Sequence, residues 1–165
     1  MTGGSNSNRS SNSNRSSNPP PESDAGGGAN AGGTYVLVVD LPEPTALAVG
    51  ALGEHRLPAG AYLYVGSALG SGGFARVDRH RRVAAGEHDV RHWHVDALLG
   101  HPTTSLADVL VAEGRAVECA TARVLVANAA VPGFGASDCD CTAHLARRES
   151  TVTAARDARD ALDGA

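Results

Sequence analysis

Apolar runs separated by turn signals lay out the elements of this chain. Residues 34–41, TYVLVVDL, are β-branched and apolar almost throughout and predict a central strand, stopped by Pro42 and Pro44. Residues 46–53, ALAVGALG, suit a short strand or turn, and Leu57-Pro58-Ala59-Gly60 is a turn signal. Residues 61–66, AYLYVG, predict a second strand antiparallel to the first, and the glycine-rich stretch 66–73 predicts a loop. Over residues 74–85 the period changes to that of a helix, with Phe74, Val77 and Ala84 near one stripe and Gly86 ending it. Residues 91–99 predict a second helix with Trp93, Ala97 and Leu98 on its core side. Residues 106–112 predict a third strand, and residues 115–130 a third helix with Val117, Ala120, Val124 and Leu125 on one side. A Gly- and Cys-rich loop follows, and residues 151–162 predict a polar closing helix. The order hairpin, two helices, strand, helix predicts an α+β fold: a small, mainly antiparallel three-stranded sheet flanked by helices.

The first 32 residues break this pattern. They hold SNSNRSSNSNRSSNPPP and GGGANAG, a low-complexity composition expected to be disordered. Residues 33–146 are expected to form one domain and residues 147–165 a C-terminal polar helix; about 130 residues suffice for one core and not for two. No run of 18 apolar residues predicts a membrane span, and the N-terminus lacks an apolar signal core, so a cytoplasmic protein without membrane partners is expected. Nothing in the sequence bears on oligomeric state.

Charge narrows the chemistry. The formal net charge is −4, and all 14 basic residues are Arg. Without Lys, a P-loop, a Schiff-base enzyme and a protein kinase are excluded. A nucleic-acid site would have to be a local patch. Three Cys in an apparently cytosolic chain argue against a disulfide framework.

The candidate chemistry is concentrated. Tyr62 and Tyr64 lie two apart on one strand and share a face. Arg76 and His80 lie four apart on one helix face, where they could supply a phosphate clamp and a proton shuttle. Glu118 begins the third helix. Together these suit metal-assisted phosphodiester hydrolysis. The run ARVDRHRR, residues 75–82, sets Arg76, Arg79, Arg81 and Arg82 against Asp78 alone, which suggests that Arg79, Arg81 and Arg82 face DNA. Cys139-x-Cys141-x₂-His144, completed by Cys119, can be read as a Cys₃His zinc site or as small buried thiols. His92 and His94, two apart, do not share a helix face, which argues against a joint metal site.

The sequence also resembles a known family. GGTYVLVV (32–39) followed by AYLYVGSA (61–68) is similar to the two signature strands of the GIY-YIG nuclease superfamily, with Thr34 and Val65 in place of isoleucine-type residues. Arg76 and His80 match the Arg and following His or Tyr of that family's first helix, and Glu118 its metal-binding Glu. HWHVDALL (92–99), VECATARVL (117–125) and GFGASDCDCTAHL (133–145) resemble a small Uri-like branch also found fused to endonuclease III. Ser137 and Asp138 stand about where the superfamily carries a late Asn. The resemblance implies a DNA endonuclease active in repair or processing, with Tyr35, Tyr64, Arg76, His80 and Glu118 catalytic. Glu118 would hold Mg²⁺ or Mn²⁺, and the products would carry a 5′-phosphate and a 3′-hydroxyl. Tyr62 is left to packing. Two rivals remain open: a non-catalytic nucleic-acid-binding module of the same fold, and a zinc-stapled interaction domain.

Overall fold

The computed structural model describes residues 31–89, 91–127 and 129–165. The expected low-complexity tail lies outside the described residues except for its last two positions. The fold is α+β, as expected, but the sheet has four strands. In chain order the elements are β1 (Gly33–Leu41), β2 (Thr45–Ala48), a 3₁₀ turn (Gly50–Leu52), β3 (Glu54–Leu57), β4 (Gly60–Ser67), α1 (Ala75–Ala84) and α2 (His94–Leu99). Then come β5 (Ser105–Glu113), α3 (Glu118–Leu125), β6 (Leu145–Arg148) and α4 (Thr151–Gly164). The sheet order is β5-β1-β4-β6, antiparallel throughout, and β2 and β3 form a separate hairpin.

The continuous apolar character of β1 and β4 follows from burial on both sheet faces. Tyr35, Leu37, Val39, Tyr62 and Tyr64 point to one face, where Val77 and Val83 of α1, Val95, Leu98 and Leu99 of α2, and Phe134 cover them. Val36, Val38, Ala61, Leu63 and Val65 point to the other, against Ala122 and Leu125 of α3 and Ala154, Ala158, Ala161 and Leu162 of α4. Fully burying one such aliphatic side chain is worth about 1.5–3 kcal/mol. The alanines of α4 recur at spacings of four and three, so they form a small-residue stripe that lets the helix lie close on the sheet. Ser150 caps that helix, its Oγ accepting the Thr153 N–H at 3.2 Å.

Several expectations need correction. The third helix is shorter than expected, and it buries Thr121, Ala122 and Leu125 while Val124 is exposed. Residues 46–53 divide between β2 and the 3₁₀ turn. The second helix starts at His94 because the Asp96 carboxylate accepts the backbone N–H groups of His92 and Trp93, at 2.7 and 3.0 Å. Trp93 therefore precedes the helix and is 40% exposed, not core. No helix among the described residues is long and apolar enough to cross a membrane.

Candidate active site and metal centre

The β1–β4 register brings the signature tyrosines together. Tyr35 is paired with Gly66, and Tyr64 with Leu37, which sets the two rings side by side at 6.4 Å between centroids. Position 135 must be glycine for the same cluster: its φ is +71°, and a Cβ there would come 2.7 Å from Tyr64 Cε2. Burial raises both phenols well above the ordinary tyrosine range, and the charge of Glu118 adds to the rise while Arg76 opposes it. Tyr62 is a packing residue, its hydroxyl donating to the Pro58 carbonyl at 2.7 Å.

Behind the tyrosines runs a buried polar chain. The Tyr35 hydroxyl is 2.9 Å from His80 Nε2, and His80 Nδ1 faces Asp96 Oδ1 at 3.7 Å. The carboxylate favours a proton on Nδ1, which leaves Nε2 to accept from Tyr35. Asp96 is itself clamped by a bidentate Arg79 pair, both contacts at 2.8 Å. Its burial would raise the carboxyl, but the neighbouring His80 ring and hydrogen bonds from Arg79 and the backbone of Trp93 and His92 hold it well below the carboxylate range. Asp96 carried no weight in the sequence, although an acid inside the apolar pattern HVDALL was the signal for it.

The Arg79–Asp96 pair corrects one expectation directly. Arg79 does not project toward a partner: its side chain is only 12% exposed, grips Asp96, and lies over the Trp93 ring at 4.4 Å. Arg81 is exposed and pairs with Asp78 at 2.8 Å; Arg82 is exposed.

In front of the tyrosines opens a cleft of about 220 Å³, lined by Tyr64, Arg76, His92, Trp93, His94, Glu118, Gly135, Ser137 and Asp138. Arg76 donates to the Ser67 carbonyl at 2.9 Å and its guanidinium lies 5.0 Å from the Trp93 ring centroid. His92 and His94, expected to face apart, both reach the cleft wall, and His94 Nδ1 accepts the Gly135 N–H at 3.1 Å. Glu118 is placed by Thr34, the residue departing from the signature pattern. Thr34 Oγ1 donates to the Arg115 carbonyl at 2.9 Å and accepts the Val117 N–H at 3.0 Å, fixing the chain just before α3. A larger depression of about 540 Å³ lies between β5 and α4. Its lining holds no Tyr, His or Cys.

Next to the cleft, Cys119, Cys139, Cys141 and His144 bring one ligand atom each within 4.8 Å of one another. This Cys₃His group, drawn from α3 and the loop before β6, could hold a metal ion. The edge of a tetrahedral zinc site with thiolate ligands is about 3.7 Å, so a separation of at most 4.8 Å is within reach of one by small side-chain movements. Cys119 is pushed up to about 12 by burial and by its two thiol neighbours. Burial would also raise Cys141, but hydrogen bonds from His144 and the other thiols lower it. His144 is raised to about 9, because Glu118 on one side and the thiols on the other outweigh its burial. A bound cation would displace the thiol protons and take thiolates and a neutral imidazole as ligands, so its binding would release protons.

The model of the family described as domain of unknown function DUF123 matches residues 34–165. The chain belongs to the DUF123 family. No curated protein and no solved structure matches it. In this DUF123 domain the match extends through α4, the helix whose alanines pack on the sheet. Of the residues singled out from the sequence, Tyr64, Arg76 and Glu118 line one cleft, while Tyr35 and His80 form the chain behind it. Asp138, whose only signal in the sequence was its place near the superfamily's late Asn, lies on the cleft wall.

Proposed function

We propose that this DUF123 domain is a metal-dependent DNA endonuclease of the GIY-YIG type. The observation that carries the reading is the convergence of Tyr64, Arg76 and Glu118 on one cleft, backed by the Tyr35–His80–Asp96 chain. Phosphodiester hydrolysis requires a cationic group for the charge that gathers on phosphorus oxygens, a proton acceptor for water, and oxygen ligands for a hard cation. Arg76 is exposed and aimed into the cleft, so it is the phosphate clamp. Glu118 and Asp138 supply carboxylate oxygens on the cleft wall, a donor set that fits Mg²⁺ or Mn²⁺. Glu118 and Asp138 would hold such a cation, which would supply positive charge to phosphate oxygens and offset the carboxylate charge that, after burial, raises the Tyr64 phenol.

As the phenolate, formed by giving its own proton to solvent, Tyr64 would take one proton of the attacking water. The new bond forms between water oxygen and phosphorus, the bond to the 3′-oxygen breaks, and that oxygen takes a proton from solvent, so the ends are a 5′-phosphate and a 3′-hydroxyl. His80 holds the Tyr35 hydroxyl at 2.9 Å in the buried core behind the cleft, which preorganises the tyrosine cluster before any ligand binds. The exposed His92 at the rim offers a flat surface to a nucleobase, while the Trp93 ring is already stacked by Arg79 and Arg76. Arg81 and Arg82 supply phosphate contacts outside the cleft.

We also assign zinc to the Cys₃His group, since three thiolates and an imidazole favour a borderline-soft ion over Mg²⁺. The nuclease reading is tested by incubating the protein with end-labelled single-stranded, duplex and branched DNA, with Mg²⁺, Mn²⁺ or EDTA. Metal-dependent cleavage leaving 5′-phosphates is expected. Binding without cleavage under every condition would favour the non-catalytic module instead.

A further inference from the structure

Both carboxylates of the cleft sit one residue before a cysteine of the sulfur cluster: Glu118 before Cys119, and Asp138 before Cys139. The two pairs come from different parts of the fold, the start of α3 and the loop that precedes β6. A metal ion bridging Cys119 and Cys139 would therefore join the two segments that carry the carboxylates.

His144 makes a third connection. It is 1% exposed, and its backbone is fixed on both sides: its N–H donates to the Phe134 carbonyl at 2.7 Å, and its carbonyl accepts the Val65 N–H at 3.0 Å. One edge of its ring faces sulfur, with Nε2 3.3 Å from Cys139 Sγ. The other faces the cleft, with Nδ1 3.3 Å from Glu118 Oε1. That second contact lacks the alignment of a full hydrogen bond, and Nδ1 has no other partner. A buried ring nitrogen 3.3 Å from a carboxylate, with sulfur at the opposite nitrogen, needs only a small rotation to reach the arrangement by which metal-bound histidines are held by acids. Here the acid so held is a residue of the cleft itself.

We propose that zinc at Cys119, Cys139, Cys141 and His144 is the positioning device of the cleft, holding Glu118 through His144 Nδ1 and joining the Glu118 and Asp138 segments. This inference rests on the zinc assignment and on the carboxylates as the hard-cation site. Zinc itself stays away from the reacting atoms. Its loading sets how well Glu118 and Asp138 bind a second, oxygen-seeking cation. His144 is a positioning residue in this scheme, because it acts through Glu118.

The test measures two metals separately on the full chain. Zinc is counted by elemental analysis of protein purified without chelator, and Mn²⁺ affinity is read from the electron paramagnetic resonance signal of the free ion. His144→Cys keeps four zinc ligands but removes the contact to Glu118. Its zinc content should match the parent, while Mn²⁺ binding weakens by ~10-fold or more, the usual effect of removing such a partner. Glu118→Gln should keep zinc and lose Mn²⁺ binding, which identifies the site being read. Stripping zinc with a chelator should weaken Mn²⁺ binding, and adding zinc back should restore it. Zinc-loaded His144→Cys with parental Mn²⁺ affinity would overturn the positioning role and leave the zinc assignment standing. A folded parent purified without zinc, and unable to take it up, would overturn the assignment as well. Failure of the zinc-loaded parent to bind Mn²⁺ would overturn the inference together with the hard-cation site.

Discussion

The ring of Tyr35 lies across Gly66, so closely that a Cβ at position 66 would stand 2.4 Å from both Cζ and the hydroxyl oxygen. The glycine of the second signature strand is therefore there for the tyrosine of the first. Gly66→Ala must push the ring away from His80 or bend the strand pair. Overpacking of this kind costs about 1–3 kcal/mol. We expect a lower urea midpoint with an unchanged slope, and an altered chemical shift of the His80 ring as its partner moves. An unchanged midpoint would mean that the ring yields freely.

Asp96 should dominate acid stability on the cleft side. It is fully buried and paired with Arg79, and removing one member of such a pair costs about 3–5 kcal/mol. Asp96→Ala should show that loss in urea unfolding at neutral pH. The sign of the pH effect follows from the depressed carboxyl. Its stabilisation is complete above the ordinary carboxylate pKa of about 4 and is lost progressively as pH falls toward the depressed folded value. Asp96→Asn should therefore lose less stability than the parent between pH ~4 and ~2. Parallel acid profiles would place the sensitive group elsewhere.

Arg76 and the outer arginines should separate kinetically. Arg76 lines the cleft, and removal of one such donor to the transition state typically costs ~100- to 1,000-fold in rate. Arg76→Ala should show this in single-turnover cleavage with DNA saturating. Arg81→Ala and Arg82→Ala should instead weaken binding and lower the slope of log affinity against log salt, by about 1 for each phosphate that is no longer neutralised. Equal turnover losses at all three positions would contradict the division.

What the sequence disclosed was mostly local. The β1 and β4 runs are apolar on both faces and carry the tyrosines, so periodicity and motif agree on them. β6 escaped notice because Leu145–Arg148 is four residues long and ends in two arginines; it is a strand only by virtue of pairing with Ala61–Tyr64 of β4. Arg79 looked like part of a basic face because its partner, Asp96, is 17 positions away and meets it only when α1 and α2 pack. Trp93 was misplaced for a related reason, since the Asp96 cap shifts the helix start past it. The Cys₃His spacing was too tight to decide from one loop, and Cys119 joins the cluster from a separate helix. Thr34 was visible only as a departure from a pattern; its two hydrogen bonds to the segment before Glu118 give it a reason.

The most direct measurement is single-turnover cleavage of labelled DNA in Mg²⁺ buffer by the parent and by Glu118→Gln, with binding followed in parallel by fluorescence anisotropy. Gln preserves the size of the side chain but not the anionic oxygen that a hard cation requires. The account predicts metal-dependent cleavage by the parent, with none detectable from Glu118→Gln and DNA affinity largely retained. Cleavage by Glu118→Gln at the parental rate would contradict it, because the cation would then be held by residues other than Glu118.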